Sequence, residues 1–296
     1  MQNEGPASAR SREVARYYDE KTARILEKYG PGPRVHYHTG ISDGRYRKGA
    51  GMEELRDAMS AAQELVLSRI ARGMRPSLPA DRPASLLDVG CGLGGGSIYL
   101  AQELGAAVTA ITVAAEHLKP AREFAERSGV SSRTEFMLAD AHELAGEGLF
   151  DGSIAIESTC YLDRRAWLAR MAGLLRPGAE LHIFDWMRGG DEAAISLVDE
   201  HWKTSLGSPQ EYRDAAAAAG LELASEACLN EETAGFWTLA QAWNLAAMRR
   251  PGLPSGELAR LEGSAEALSA LESAFREGGV LSIHMVLRRH ISSGEA

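Results

Sequence analysis

The sequence has little cysteine, no long apolar run and no excess of positive charge, and each shortage removes a class of protein. Its three cysteines, Cys91, Cys160 and Cys228, are widely spaced and form no CxxC pair. A disulfide framework is therefore excluded, and a reducing, cytoplasmic setting is expected. No stretch reaches the roughly 18 consecutive apolar residues of a membrane span. The opening residues, Met1 to Arg12, are small and polar, without the apolar h-region of a secretory signal. No membrane partner is expected. Lys and Arg number 32 against 41 Asp and Glu, a formal charge of -9 over 296 residues. Nucleic-acid binding wants a net basic face, so the partner expected is a small molecule. No internal repeat divides the chain, and a homo-oligomer is left open.

What is present is an alternation. Residues 85–89, 107–112, 134–138, 152–156 and 180–185 read as short buried strands, with helices at 97–104, 116–127 and 164–175. Pro177-Gly178 is read as the stop between the last helix and the last of these strands. Ser208-Pro209 opens a helix to 219, with Ser as N-cap and Pro in the first turn, and a strand at 221–228 follows. Helical patterns cover 231–249 and 257–276, and 280–287 reads as a final antiparallel strand. Two helices, 13–29 and 52–72, precede the first strand, separated by Gly30-Pro31-Gly32-Pro33 and an extended piece at 35–41. The expectation is an α/β, Rossmann-like, doubly wound and mostly parallel sheet with an antiparallel last strand. Residues 1–83 would form an N-terminal helical lid over a domain at 84–291, with a helical insertion at about 190–276.

Asp88-Val89-Gly90-Cys91-Gly92-Leu93-Gly94-Gly95 is a strand end, a glycine turn and a helix start. Glycines allow positive φ and let a ligand touch the backbone. Gly90, Gly92 and Gly95 also satisfy the dinucleotide pattern G-x-G-x-x-G. Two features argue against a dinucleotide. Asp88 places an acid before the first glycine, which suits a ligand carrying ammonium and sulfonium charge. The strand ending at Thr112 lacks the acid that a dinucleotide ribose would want.

Leu87 to Gly95, with Ala110-Ile111-Thr112, Ala139-Asp140 and Leu175-Arg176-Pro177-Gly178, resembles the class I S-adenosylmethionine-dependent methyltransferases. His36-Tyr37-His38-Thr39-Gly40-Ile41, Glu157-Ser158-Thr159-Cys160-Tyr161-Leu162-Asp163 and Glu211-Tyr212 resemble the prenyl-diphosphate C-methyltransferases, of the geranyl diphosphate type. The resemblance implies S-adenosyl-L-methionine as cofactor. It places Asp88, Gly90 and Gly92 at the methionine end, and Asp140 and Ala141 at the adenine, with the Asp140 carboxylate accepting from the exocyclic amine. Thr112 and Glu157 join this cofactor set, and His117 stands where the family often has a ribose-binding glutamine. Gly30 to Arg34 stand where the prenyl-diphosphate enzymes carry acidic residues.

Methyl transfer needs an oriented acceptor, excluded water and, for some acceptors, a base. Glu157, at the end of the fourth strand, is the leading catalytic candidate. If an alkene carbon is methylated, its carboxylate would stabilise the cation and remove a proton, while aromatic faces lower the cation's energy. Tyr37, Tyr161, Trp186, Trp202, Phe236 and Trp237 are the expected substrate wall, with Trp243 beside them. His36 and His38 share one side of an extended segment and are the other catalytic candidates; no metal is assigned to them. The expected function is methylation of a small molecule of specialised metabolism, on carbon of an isoprenoid-like acceptor. The alternative is an O- or N-methyltransferase of a polar natural product with His36, His38 or His201 as base. Asn/Asp-Pro-Pro-Tyr, used on base amines, is lacking after the fourth strand. A non-catalytic binding subunit and a dinucleotide oxidoreductase are the remaining readings.

Overall fold

A computed structural model describes residues 8–291. Seven strands form one sheet in the order β3-β2-β1-β4-β5-β7-β6. They are β1 (Ser85–Val89), β2 (Ala107–Thr112), β3 (Thr134–Leu138), β4 (Phe150–Ile156), β5 (Leu175–Arg188), β6 (Leu221–Cys228) and β7 (Val280–Arg289). β7 runs antiparallel to both of its neighbours, β5 and β6, while the pairings among β1 to β5 are parallel. This is the Rossmann-like, mostly parallel sheet expected. The chain leaves β1 for β2 and β3 on one side and returns to β4 on the other. The crevice at the carboxyl ends of β1 and β4 is thus the topological switch point, where open α/β sheets bind ligands.

The helices are α1 (Ala9–Tyr29), α2 (Met52–Met74), α3 (Gly95–Glu103), α4 (Ala115–Arg127), α5 (Arg164–Leu174), α6 (Glu192–Trp202), α7 (Pro209–Ala218), α8 (Asn230–Met248) and α9 (Ser255–Glu277). Ser208 caps α7 in a full capping box with Glu211, which satisfies orphan N–H groups at both positions. Two departures from the sequence reading have simple causes. β5 begins at Leu175, without a break at Pro177-Gly178. Its pairing with β4 slips between Phe150 and Gly152, and this bulge absorbs the proline and Gly178, whose φ is 80°. α6 is a helix that the sequence reading did not single out. Asp191 caps it through Oδ1, accepting from the N–H groups of Ala193 and Ala194 at 2.9 and 3.2 Å, and Ile195, Val198 and Trp202 give it a buried stripe. The span 190–276 carries four helices and strand β6.

The apolar faces gather into two layers against the sheet and a third cluster above its carboxyl ends. One layer holds Leu86, Ile98, Val108 and Phe136; the opposite one holds Leu87, Trp167, Met171, Leu181 and Tyr212. The third joins Leu55 and Met59 of α2 to Trp186, Val198, Trp202, Phe236, Trp237, Trp243, Leu268 and Phe275. No helix among the described residues is long and apolar enough to cross a membrane.

The extended segment after α1 is clamped between α2 and α8. Ile41 N–H donates to Ala62 O at 2.9 Å and Ser42 N–H to Glu232 O at 2.8 Å, while Gln63 Nε2 donates to His38 O at 2.6 Å. Such close approach needs glycine: a Cβ on Gly235 of α8 would stand 2.3 Å from Ser42 O. Gly235→Ala must therefore push the segment off α8. We expect a loss of roughly 1–3 kcal/mol, read as a lower urea midpoint at unchanged slope; an unaltered midpoint would contradict this packing.

Candidate active site

Two cavities meet at the switch point. The smaller, of about 130 Å³, lies between the glycine turn and α1. Asp88, Gly90, Gly92, Thr112, His117, Ala141 and Glu157 all border it, as do His36, His38, Tyr37 and Tyr161. The larger, of about 530 Å³, is bounded by α1, α6, α8 and α9. Trp186, Trp202, Phe236, Trp237, Trp243 and His201 line it. Glu157, His38, Tyr37 and Tyr161 border both cavities, together with Tyr18 of α1. The residues that separate the cavities are thus those through which a group could pass from one to the other.

The turn after β1 is held open by its backbone. Gly90, Gly92 and Gly94 have φ of 78°, 51° and 81°, and a Cβ at Gly92 would meet nothing within 4 Å. Its backbone is therefore open to a ligand. Asp88 ends the strand buried, its Oδ2 accepting from Ser97 Oγ at 2.5 Å. Burial pushes its carboxyl up to about 6, against the Ser97 bonds that lower it. A buried acid with a hydroxyl as its partner is short of a cation.

Glu157 stands just past β4 in a strained backbone, with φ of 46°. Its N–H is held by Phe184 O at 2.7 Å. Oε1 accepts from Thr39 N–H at 2.8 Å and from Trp186 Nε1 at 2.9 Å. Burial pushes the carboxyl up to about 8, with Asp185 adding to the effect and the Thr39 and Trp186 bonds opposing it. Asp185, not anticipated from sequence, fixes the following turn: Oδ2 accepts from Thr159 N at 2.7 Å and Thr159 Oγ1 at 2.5 Å.

The two histidines of the extended segment lie side by side, ring centroids 5.6 Å apart. His38 Nδ1 donates to Thr39 O at 2.7 Å, so its Nε2 presents a lone pair. Burial lowers it to about 3, which makes it a weak base. His36 is buried too, 3.7 Å from Glu64, and lowered by that burial. The arrangement does not favour either as the catalytic base, because Glu157 binds a proton far more readily.

Asp140 is engaged elsewhere in this structure. Asp140, read as the acceptor for an adenine amine, does not border the smaller cavity, although Ala139 and Ala141 do. Its Oδ1 accepts from His142 N and Nδ1 at 3.0 and 2.8 Å, and its Oδ2 from Ser11 Oγ of α1 at 2.5 Å. Burial works to raise its carboxyl, but these bonds outweigh it and hold it at about 2. Sequence reasoning also missed Lys21 and Lys28 of α1, whose side chains enter the larger cavity.

A methyltransferase domain family matches residues 86–178. Methyltransferase GfsG of Streptomyces halstedii is 31% identical over 231 residues, covering 75% of this chain and 77% of the relative. The 27-O-demethylrifamycin SV methyltransferase of Amycolatopsis mediterranei is 31% identical, covering 70% and 78%. The chain belongs to the class I S-adenosylmethionine-dependent methyltransferases. Among solved structures, geranyl diphosphate C-methyltransferase of Streptomyces coelicolor A3(2), in complex with Mg²⁺, geranyl diphosphate and S-adenosyl-L-homocysteine, superposes with a TM-score of 0.74. It is 19% identical and covers 96% of this chain and 99% of its own, a likeness of fold.

The methyltransferase's cofactor, S-adenosylmethionine, suits the smaller cavity's donors. Asp88 lacks a cation, the Gly92 backbone is open, and His117 is buried with neither ring nitrogen partnered. Val14, Tyr18 and Ile25 of α1 lean into this cavity, so that α1 covers the place the cofactor would take.

The Glu157 node gives a direct check. The Trp186 bond lowers the carboxyl, so Trp186→Phe should raise its midpoint further, followed by carbon-13 NMR of glutamate-labelled enzyme. A midpoint that is unmoved or lower would remove Trp186 from the carboxylate's support.

Proposed function

We propose that this methyltransferase modifies a carbon of an isoprenoid-like natural product, with Glu157 as the group that stabilises the acceptor's cation and then takes its proton. The observation that carries the reading is a strained, half-buried carboxylate, bordered by aromatic rings, at the junction of the two cavities. In this reading Asp88, Gly90, Gly92, Thr112, His117 and Ala141 hold the cofactor, with Asp140 reaching it only if Ser11 releases the carboxylate. Bound there, S-adenosylmethionine supplies an electrophilic methyl group.

The residues of this chain do the rest. Tyr37, Tyr161, Trp186, Trp202, Phe236 and Trp237 exclude water from the acceptor and turn ring faces toward positive charge. The acceptor's π electrons would form the new carbon–carbon bond as the sulfonium S–CH3 bond breaks and its electron pair stays on the departing sulfur, and the positive charge left on the acceptor would meet the Glu157 carboxylate. Loss of the neighbouring proton to Glu157 restores the double bond. Thr39 N–H and Trp186 Nε1 fix Oε1, which directs the carboxylate without neutralising it. α1 acts as a lid that opens for cofactor and closes on Asp140 through Ser11.

A polar acceptor methylated on oxygen or nitrogen is the second reading. It is supported by the names of relatives that act on oxygen, such as the rifamycin enzyme. Glu157 would be its base as well, since the proton affinity of His38 is so low. The two readings part on the product. A mass-spectrometric screen with prenyl and polar acceptors should find the added methyl on carbon; addition to oxygen or nitrogen alone would decide for the second.

Glu157→Gln keeps the hydrogen-bonded oxygen and removes the base. Turnover should fall by about 10²-fold or more while S-adenosylhomocysteine binds within about twofold of wild type. Equal losses of both would make Glu157 structural. The working form is the carboxylate, so turnover must rise with pH and level off above the Glu157 midpoint. That midpoint is about 8 without cofactor and lower beside a bound sulfonium, since a nearby cation favours the charged carboxylate. A rate that falls across this range would contradict the role.

A further inference from the structure

The larger cavity has an end, between α1, α8 and α9, whose chemistry the methyl-transfer step does not use. Lys28 reaches into it from α1. Its Nζ donates to Ala240 O at 3.3 Å and to Asn244 Oδ1 at 3.1 Å, and lies 5.3 Å from the Trp243 ring centroid. Among the described residues no carboxylate pairs with it. The neighbouring acids are already taken: Arg250 holds Glu27 at 2.8 Å and also bonds Glu257. Arg260, on the same wall, approaches Glu257 only at 3.9 Å. The indole N–H of Trp243, the ring beside Lys28, is buried with no acceptor.

This end is therefore rich in donors and short of acceptors. Burial, with Arg260 and Lys21 adding to it, pushes the Lys28 ammonium down to about 7. A cation so placed is costly until an anion joins it, and an indole N–H buried without a partner forfeits a hydrogen bond. A hydroxyl or an apolar tail on the acceptor would leave the ammonium uncompensated. A group made of negatively charged oxygens satisfies the ammonium and the Trp243 indole together.

We propose that the acceptor carries an acidic group, a carboxylate or a phosphate, that Lys28 receives as its counter-ion at the α1–α8–α9 end of the larger cavity, with Arg260 and the Trp243 N–H beside it. The inference rests on the larger cavity being the acceptor site. It makes Lys28 a specificity residue that touches neither the reacting carbon nor the cofactor. The acceptor then lies with its acidic head at Lys28 and its apolar body along the aromatic wall toward Glu157.

The test is calorimetric titration of geraniol, geranic acid and geranyl phosphate into enzyme saturated with S-adenosylhomocysteine. The three share one apolar body and differ in the head. At least one anion should bind about tenfold or more tightly than the alcohol, the value of one charge-assisted hydrogen bond. The tighter of the two anions identifies carboxylate or phosphate. Lys28→Met should bring the anions down to the affinity of geraniol and leave geraniol and S-adenosylhomocysteine unchanged; Lys28→Arg should keep most of the preference. Equal binding of all three, a preference that survives Lys28→Met, or binding of none by enzyme that still takes S-adenosylhomocysteine would overturn the proposal. Failure to take S-adenosylhomocysteine would instead overturn the function proposed above, and this inference with it.

Discussion

The Glu157 carboxylate ties together three stretches of chain that are remote in sequence. Its backbone continues β4, its Oε1 accepts from Thr39 of the segment after α1, and the same oxygen accepts from Trp186 near the end of β5. If that oxygen lost its donors, the half-buried carboxylate would be left without a partner and the extended segment would lose its anchor beside the aromatic cluster. The positive φ at Glu157 is tolerated because the surrounding contacts fix it. The tie also divides the interior, since the residues around it belong to the walls of both cavities.

Either side of this node, the molecule keeps ionisable groups that are not matched by opposite charge. Asp88 faces the smaller cavity with only a hydroxyl for company, and Lys28 faces the larger one with amide and indole neighbours. Away from the cavities, Asp151 is bridged by Arg82 and Arg176, and Glu180 by Arg288 and His182. Leaving a charge unmatched costs stability that a bound ligand restores. An acid beside one cavity and a base beside the other give the site opposite polarity at its two ends, and the aromatic wall between them supplies the apolar middle.

The sheet was legible because its signals are local. β1, β2, β3 and β6 are short runs rich in apolar residues, and their observed limits agree with those read from sequence. β5 was shortened in that reading because Pro177-Gly178 spells a stop, and only the slipped pairing with β4 lets the strand begin at Leu175. α6 was overlooked because Gly189-Gly190 draws attention away from the Ile195, Val198 and Trp202 spacing. At the site, Asp88, the glycines and Glu157 were readable since each lies in a continuous motif. The partner that Asp140 has here could not be read from its motif, because the hydroxyl belongs to Ser11, 129 residues away. Lys28 was not readable for the same reason: its partner Asn244 is 216 residues distant, and on its own helix it looks like any solvated lysine.

The account stands or falls on how the two cavities are joined. The most direct measurement is a crystal structure of the enzyme with S-adenosylhomocysteine. It should show the homocysteine amine near Asp88, the carboxylate on the glycine turn, α1 displaced from its present lean, and the sulfur facing the larger cavity past Glu157. A sulfur turned away from that cavity, or a ligand seated elsewhere than the turn after β1, would contradict it.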